Sequence, residues 1–438
     1  MSAELTRRLG LFDTTAVVVG AIIGVGIFFT PAEVARLAGS TERALTVWLL
    51  GGLVALLGAL TFAELGRRFP RAGGQYDVLR AAWGPTTAFV YTFCVQTAVL
   101  PGSAALIAVI AAFNLALAVT GAPPAPGYGT GVALVLVLGV AAANAGAVRN
   151  GTRIQNVTVI SKLLTLLAIT ALALVYGGPA VGSESAEAAA LTRVATAPSS
   201  LFVAMLPAMF SYGGWQQGLW MGGEVKDPER TLPRALVTGV VIVVLVYLAA
   251  AWAYFELLGF EGVTGAGALA AEAVGRVYPG VGERVVAGAV AVSAFGVLNA
   301  QFLTGPRLTY AVSADGRFFP IFARIDPRTG TPLAAVVLLC GLTIAVLTLG
   351  TDTMGGLTAW IVVLDALFFG LTGLALLRLG ARGPKWWICA GGFAALELAC
   401  VAFSLFDDAV QASALAGAVW VAVALVAARF WTPRTRAQ

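Results

Sequence analysis

An all-α integral membrane protein with 12 transmembrane helices is the fold class this sequence predicts, and three observations predict it. Of 438 residues, 59% are hydrophobic and only 11% are charged. A soluble domain carries about 25% charged residues because it must cover itself with polar groups, so lipid has to be the solvent of this chain. Apolar runs of about 20 residues, enough for a helix to span roughly 30 Å of hydrocarbon, recur along nearly the whole length. These runs are unbroken, whereas a barrel strand alternates over about ten residues.

The elements follow in chain order. A short polar start (Met1 to Arg8) leads into a glycine-rich first span, 13–38, which continues into further spans and so belongs to the fold rather than to a signal peptide. Spans at 44–66, 81–118, 130–147 and 155–177 complete a first set of five. A second set lies at 199–221, 235–258, 284–310, 332–350 and 354–378, and two more spans at 386–406 and 410–430 are appended. The expected units are a first inverted repeat over 1–178, a second over 179–380, and the last two spans with a tail over 381–438.

Charge sets the orientation. With the N-terminus inside, 21 of the 27 Lys and Arg residues fall in inner segments, and five (Arg36, Arg43, Arg193, Arg276 and Arg284) fall in outer ones. Outer segments collect Glu184, Glu187, Glu261, Glu272, Asp352, Asp407 and Asp408. The excess of positive charge on cytoplasmic loops places both termini in the cytoplasm. The net charge of +5 is therefore a footprint of topology and not of a nucleic-acid groove.

The first and sixth spans are interrupted. Span 1 reads GAIIGVGIFFTP, with Gly20, Gly24 and Gly26 at mid-depth, and span 6 reads MFSYGGWQQG, with Gly213 and Gly214. Gly20-xxx-Gly24 also fits close helix packing, but matched breaks five spans apart favour a site. Unpaired backbone groups are tolerated in a bilayer only where they line a cavity or bind something. A half-helix N-terminus suits a carboxylate, and the carbonyls of an opposing half suit an ammonium. Such a pair of breaks marks the substrate site of an inverted-repeat transporter.

Other chemistry is sparse. Histidine is absent, and Cys94, Cys340, Cys389 and Cys400 all lie in apolar stretches as small hydrophobes, without metal-ligand or disulfide spacing. No metal, cofactor or enzymatic dyad is expected. Lys162 lies within span 5, where a charge costs roughly 3 kcal/mol or more unless it has partners; snorkelling to the inner face is the alternative. Asp365 in span 10 is a candidate for proton coupling or a neutralised carboxyl, and Glu397 in span 11 is a buried carboxyl without an assigned role. Glu224 and the KDPER segment after it are expected to cap the inner end of span 6.

These motifs resemble the amino acid–polyamine–organocation superfamily, and most of all its L-type amino acid transporter branch. The resemblance is carried by GAIIGVGIF (Gly20 to Phe28), RRFPRAGGQY (Arg67 to Tyr76), LPGSAALIA (Leu100 to Ala108), NGTRIQNVTVISKLLTL (Asn150 to Leu166), FSYGGWQQ (Phe210 to Gln217), GEVKDPERTLPRA (Gly223 to Ala235) and RLTYAVSADGRFFPIFARIDPRTGTP (Arg307 to Pro332), in order through about three quarters of the chain. It implies a leucine-transporter-type 5+5 inverted repeat plus two C-terminal helices, working by alternating access. It implies that Ile23, Gly24, Val25, Gly26 and Ile27 offer amides to a substrate carboxylate, and that Phe210, Ser211 and Gly213 offer carbonyls to its ammonium. Phe210 matches the aromatic that closes over the substrate, with Trp215 and Gln216 beside or below the pocket. Lys162 matches the lysine that, in sodium-independent members, replaces a bound cation and bridges carbonyls near Gly20 and Ala21 to span 8.

The function so implied is sodium-independent exchange of small neutral L-amino acids. No carboxylate falls at pocket depth in spans 1, 3, 6 or 8, so a cationic side chain is expected to lack a partner there. Proton-coupled symport through Lys162 or Asp365 is the alternative, an amine or polyamine carrier is disfavoured for want of acidic pocket residues, and a channel differs by lacking saturable exchange. Animal L-type relatives are disulfide-linked to a partner, but the outer loop between spans 3 and 4 (Thr120 to Thr130) has no cysteine. No covalent heavy chain is expected, and the resemblance points to a bacterial inner-membrane protein acting alone.

Overall fold

The structure, a computed structural model, describes residues 7–70, 73–125, 127–146, 148–177, 198–349, 354–406 and 410–430. The outer-loop residues Glu184, Glu187, Arg193, Asp352, Asp407 and Asp408 lie outside them, as does the expected boundary between the two repeats. Every regular element among the described residues is helical, and pairing of extended backbone is limited to one bridge between Leu9 and Val225.

The first span is two helices, α1 (Leu11–Ile22) and α2 (Thr30–Ala38), joined by an irregular stretch and a tight 3-10 turn at Gly26–Phe28. Helix α3 (Thr41–Arg68) starts behind Ser40, whose hydroxyl accepts the Arg43 amide at 3.3 Å and satisfies one free helix-end donor. The third span starts later than residue 81. A short helix, α4 (Gln75–Trp83), ends at Gly84 (φ 92°), and Pro85 opens α5 (Pro85–Cys94). A π-turn at Val95–Val99 carries α5 into α6 (Leu100–Thr120), and Pro101 near the start of α6 has no N–H to donate back, so the wider turn sits where the ladder is already interrupted. Helices α7 (Tyr128–Gly146) and α8 (Val148–Tyr176) end the first set.

The sixth span is likewise split, into α9 (Pro198–Tyr212) and α10 (Gln217–Trp220). Helix α11 (Pro228–Gly265) breaks at Gly259 (φ 70°), next to the expected end of that span at 258. After the short α12 (Leu269–Gly275) come α13 (Val281–Ala314), α14 (Leu333–Leu349) and α15 (Met354–Arg378). Helix α16 (Gly392–Ser404) follows a π-turn at Trp387–Gly391, and α17 (Gln411–Phe430) is last.

Among the described residues nine helices are long and apolar enough to cross a membrane. The 12 read from the sequence include three that fall short on their own: the two split spans and α14, an apolar helix of 17 residues. The most apolar window of α13 is 72% buried and that of α17 only 17%, so α13 is a central helix and α17 a peripheral one facing lipid.

One face of the bundle gathers the arginine-rich connections and is closed by several contacts. The amides of Arg8 and Leu9 donate to Glu224 O at 2.7 and 2.9 Å, and the Lys226 amide donates to Leu9 O at 2.9 Å. Tyr76 donates its hydroxyl to Asp315 at 2.6 Å, and Arg80 pairs with the same carboxylate. Burial alone would raise the Asp315 carboxyl, but hydrogen bonds from Arg80 and Tyr76 outweigh it and hold the group below the usual carboxylate range. The Gly73–Gly74 pair explains the loop before α4. A Cβ on Gly74 would stand 2.7 Å from the Leu219 Cβ, so the loop can lie under α10 only as glycine.

Candidate functional site

The α1 ladder closes when the Ile23 amide reaches Val19 O at 2.7 Å. Beyond it the carbonyls of Gly20, Ala21 and Ile22 lose their helical donors, because residues 24–26 turn away, and the amides of Val25 and Gly26 have no backbone acceptor among the described residues. Two of the released carbonyls are taken up by side chains. Lys162 Nζ, on α8 and 1% exposed, donates to Gly20 O at 3.0 Å. Tyr247 donates its hydroxyl to Ile22 O at 2.9 Å. Ser293 on α13 donates to Gly24 O at 3.3 Å, and a Cβ on Gly296 would stand 3.0 Å from Lys162 Cε. The lysine therefore sits between the α1 break and α13, and it does not snorkel.

The second break meets the first. Gly214 has φ +109°, and a Cβ there would stand 2.4 Å from Ala21 O. A Cβ on Gly26 would stand 2.5 Å from Ser211 Oγ. Only glycine permits both approaches. Ser211 and Thr30 share a hydroxyl hydrogen bond of 2.6 Å across the breaks, and the Gly214 amide donates to Gln216 Oε1 at 3.0 Å.

A cavity of about 100 Å³ lies between the breaks. Gly24, Val25, Gly26, Phe210, Ser211 and Gly213 line it, as do Trp215, Gln216 and Asp365. Ile23 and Ile27 do not: both side chains are fully buried in the hydrophobic core. Lys162 is likewise outside the lining, one shell behind Gly20. Trp215, 2% exposed, stacks on Phe369 (5.2 Å between centroids, 20°) and meets Phe62 edge-on at 4.5 Å, so it forms an aromatic floor. A larger cavity of about 620 Å³, lined by Phe29, Glu33, Arg36 and Asn114, lies beside the smaller one. Phe29 and Phe210 meet at 6.3 Å between the two, and Val25 and Val362 line both.

Three features differ from the sequence reading. Glu224 does not cap the sixth span. Its carboxylate accepts from Arg307 Nε at 2.8 Å, with both side chains at most 4% exposed, and an arginine inside an apolar helix, next to Pro306, was the signal available for this pair. Gln217, adjacent to the expected site residues, accepts from Thr304 Oγ1 at 2.8 Å and ties α10 to α13. Finally, carboxylates do reach the cavity, from spans 10 and 11: both Asp365 and Glu397 line it. From the sequence Asp365 is a coupling candidate and Glu397 has no assigned role; that both face one cavity is not readable there, because helix neighbours across the bundle are not written in the linear order.

A family model described as amino acid permease matches residues 9–433. The chain is 30% identical over 378 residues to the large neutral amino acids transporter small subunit 2 of Mus musculus, covering 84% of this chain and 69% of that protein. It is 31% identical over 388 residues to the b(0,+)-type amino acid transporter 1 of Rattus norvegicus (86% and 77%). It is 30% identical over 384 residues to the Asc-type amino acid transporter 1 of Mus musculus (87% and 72%). With its paired broken helices and this match along nearly its whole length, the chain belongs to the amino acid permease family of the amino acid–polyamine–organocation superfamily.

Proposed function

We propose that this protein is a sodium-independent secondary transporter that exchanges small neutral L-amino acids by alternating access. The observation that carries the reading is the facing pair of helix breaks. The free amides of Val25 and Gly26 suit a carboxylate, and the released carbonyls at Ala21 and at Ser211 to Gly213 suit an ammonium, the Phe210 carbonyl being taken by the Gly213 amide at 3.3 Å. An amino acid presents both groups one carbon apart. Lys162 takes the role of a fixed cation, since its ammonium holds Gly20 O where a bound ion would otherwise compensate the carbonyls.

The two halves of the chain, 1–178 and 179–380, act as the two inverted repeats, with 381–438 appended. The excess of positive charge supports reading the basic face as the cytoplasmic one, with both termini in the cytoplasm and the bundle in a bacterial inner membrane. The 620 Å³ cavity on the far side of the breaks then leads outward, while the Arg307–Glu224 pair and the Leu9–Val225 bridge close the inner side. The relative in mouse is named a small subunit. This chain acts without a covalent partner, because the Thr120–Thr130 loop carries no cysteine and its four cysteines all lie in membrane-spanning helices. Unchanged migration of the purified protein from native membranes with and without reductant supports this, and a reductant-sensitive larger species overturns it.

Uptake of labelled alanine, serine and leucine into proteoliposomes tests the function. Entry that requires amino acid inside the vesicle supports exchange. Uptake into empty vesicles driven by a pH gradient replaces exchange with proton symport, for which the cavity-lining Asp365 is the specific observation. No uptake in either case removes the substrate assignment.

A further inference from the structure

Exposed apolar side chains need no explanation on a spanning helix, because lipid covers them. On a connection between spans they do. The connection from α13 to α14 carries such a pair: Phe319 is 51% exposed and Ile321 is 53% exposed, at a 3-10 turn over Pro320–Ala323. The turn packs against α13 and α14. Phe318 anchors it, partly buried against the core that holds Tyr76, Leu308 and Val312. Its ring stacks on Phe322 (5.3 Å between centroids, 22°) and meets Phe319 at 5.1 Å. Backbone bonds fix both ends, from the Arg317 amide to Val312 O at 3.1 Å and from the Asp326 amide to Thr331 O at 2.9 Å. An ordered turn therefore presents Phe319 and Ile321 outward.

Arginines frame the pair. Arg317, Arg324 and Arg328 belong to the same connection, and Arg80 reaches it from α4. Two carboxylates face these four guanidinium groups. Asp315 is shared between Arg80 and Arg317, the latter at 3.4 Å. Asp326 accepts the backbone amides of Arg328 and Thr329 at 2.8 and 3.1 Å. Four against two leaves the connection positive, and the exposed Arg324 forms no ion pair among the described residues. The chain leaves this connection into α14, where Leu333 and Val337 are exposed apolar residues of a spanning helix, so the turn stands beside lipid.

We propose that the α13–α14 connection is a binding site for anionic phospholipid, with Phe319 and Ile321 entering the membrane interface while Arg324 and Arg328 hold the lipid phosphate. Aromatic and aliphatic side chains settle at the boundary between headgroups and acyl chains, and clustered basic side chains next to them draw anionic headgroups. The chain's own C-terminal residues, 431–438, carry Arg434 and Arg436 and no acidic side chain, so like charge disfavours them as the occupant. A soluble acidic partner would satisfy the arginines but leave unexplained why the apolar pair lies beside a lipid-facing helix.

The test uses the full-length protein in nanodiscs of phosphatidylcholine alone and of phosphatidylcholine mixed equally with phosphatidylglycerol. Phosphatidylglycerol should raise the thermal midpoint of the wild type. Arg324→Gln and Arg328→Gln should each raise the phosphatidylglycerol content needed for half of that gain by roughly fivefold, and Phe319→Ser should diminish the gain. Arg382→Gln removes an exposed arginine from the connection between α15 and α16 and should keep the gain. No gain in the wild type overturns the proposal, as does an equal loss in Arg382→Gln, which would assign the effect to the basic face at large. Inorganic phosphate that reproduces the gain in phosphatidylcholine alone would replace the lipid by a free anion and overturn it too. A readout independent of stability is a fluorophore on Ile321→Cys, with the protein lacking that cysteine as background. Quenching by a lipid that carries a nitroxide on its headgroup supports insertion; quenching by aqueous iodide and not by that lipid shows a turn that faces water, and the site fails.

Discussion

Lys162 places one ammonium against one carbonyl in a buried site. Leaving Gly20 O unpaired costs about 1–3 kcal/mol, while a charge inside the bilayer costs roughly 3 kcal/mol, so the two effects nearly offset. Lys162→Met should therefore keep or raise the thermal midpoint and yet lose exchange by at least roughly tenfold, if the ammonium organises the α1 break. Exchange at the wild-type rate would show that the charge serves packing alone. The glycine pair separates even more sharply. Gly214→Ala puts a Cβ 2.4 Å from Ala21 O at φ +109°, whereas the nearest atoms to a Cβ on Gly213 stand at 3.4 Å. Gly214→Ala should lower the midpoint by the equivalent of about 1–3 kcal/mol and Gly213→Ala by much less, as a melt of both variants would report. Equal melts would mean that the two segments yield where they meet.

At the scale of elements, the sequence made the breaks legible because glycine in an otherwise apolar helix leaves a signal that does not depend on neighbours. The span limits were legible for the same reason: α3, α7, α15 and α17 begin and end within three residues of the expected positions. What was not legible depends on pairing between distant helices. Nothing near Glu224 announces Arg307, 83 positions along the chain. Nothing in span 11 says that Glu397 faces α15 rather than lipid. The start of α5 was missed because Gln75–Trp83 is amphipathic and continues without a polar gap into the span; only Gly84 separates them, and Pro85 already opens α5. Removing one member of the buried Glu224–Arg307 pair should cost about 3–5 kcal/mol, because the other charge stays buried and alone. Arg307→Met should thus lower the midpoint strongly, and Glu224→Gln combined with Arg307→Met should recover part of it. Additive losses in the double variant would show that the pair does not interact.

Across the whole molecule, the contacts that join the basic face come from its periphery as well as its core. Asp315 links α13 to α4 through Tyr76 and Arg80. Its carboxyl is held below its ordinary value, so the linkage is present above the unfolded value and lost as pH falls through the depressed one. The difference in midpoint between wild type and Asp315→Asn should be constant above about pH 5 and close as pH falls below about 4. A gap that persists at lower pH would place the effect of the substitution elsewhere. The bridge between Leu9 and Val225 carries a consequence for speed. Three backbone hydrogen bonds fasten the chain before α1 to the chain after α10, so one broken helix cannot swing at that face unless the other moves with it or the strip peels. Peeling would act as a latch on the step that reorients the empty or loaded carrier. Leu9→Pro, which deletes one of the three donors, should leave substrate affinity alone, raise the turnover rate, and flatten its dependence on temperature.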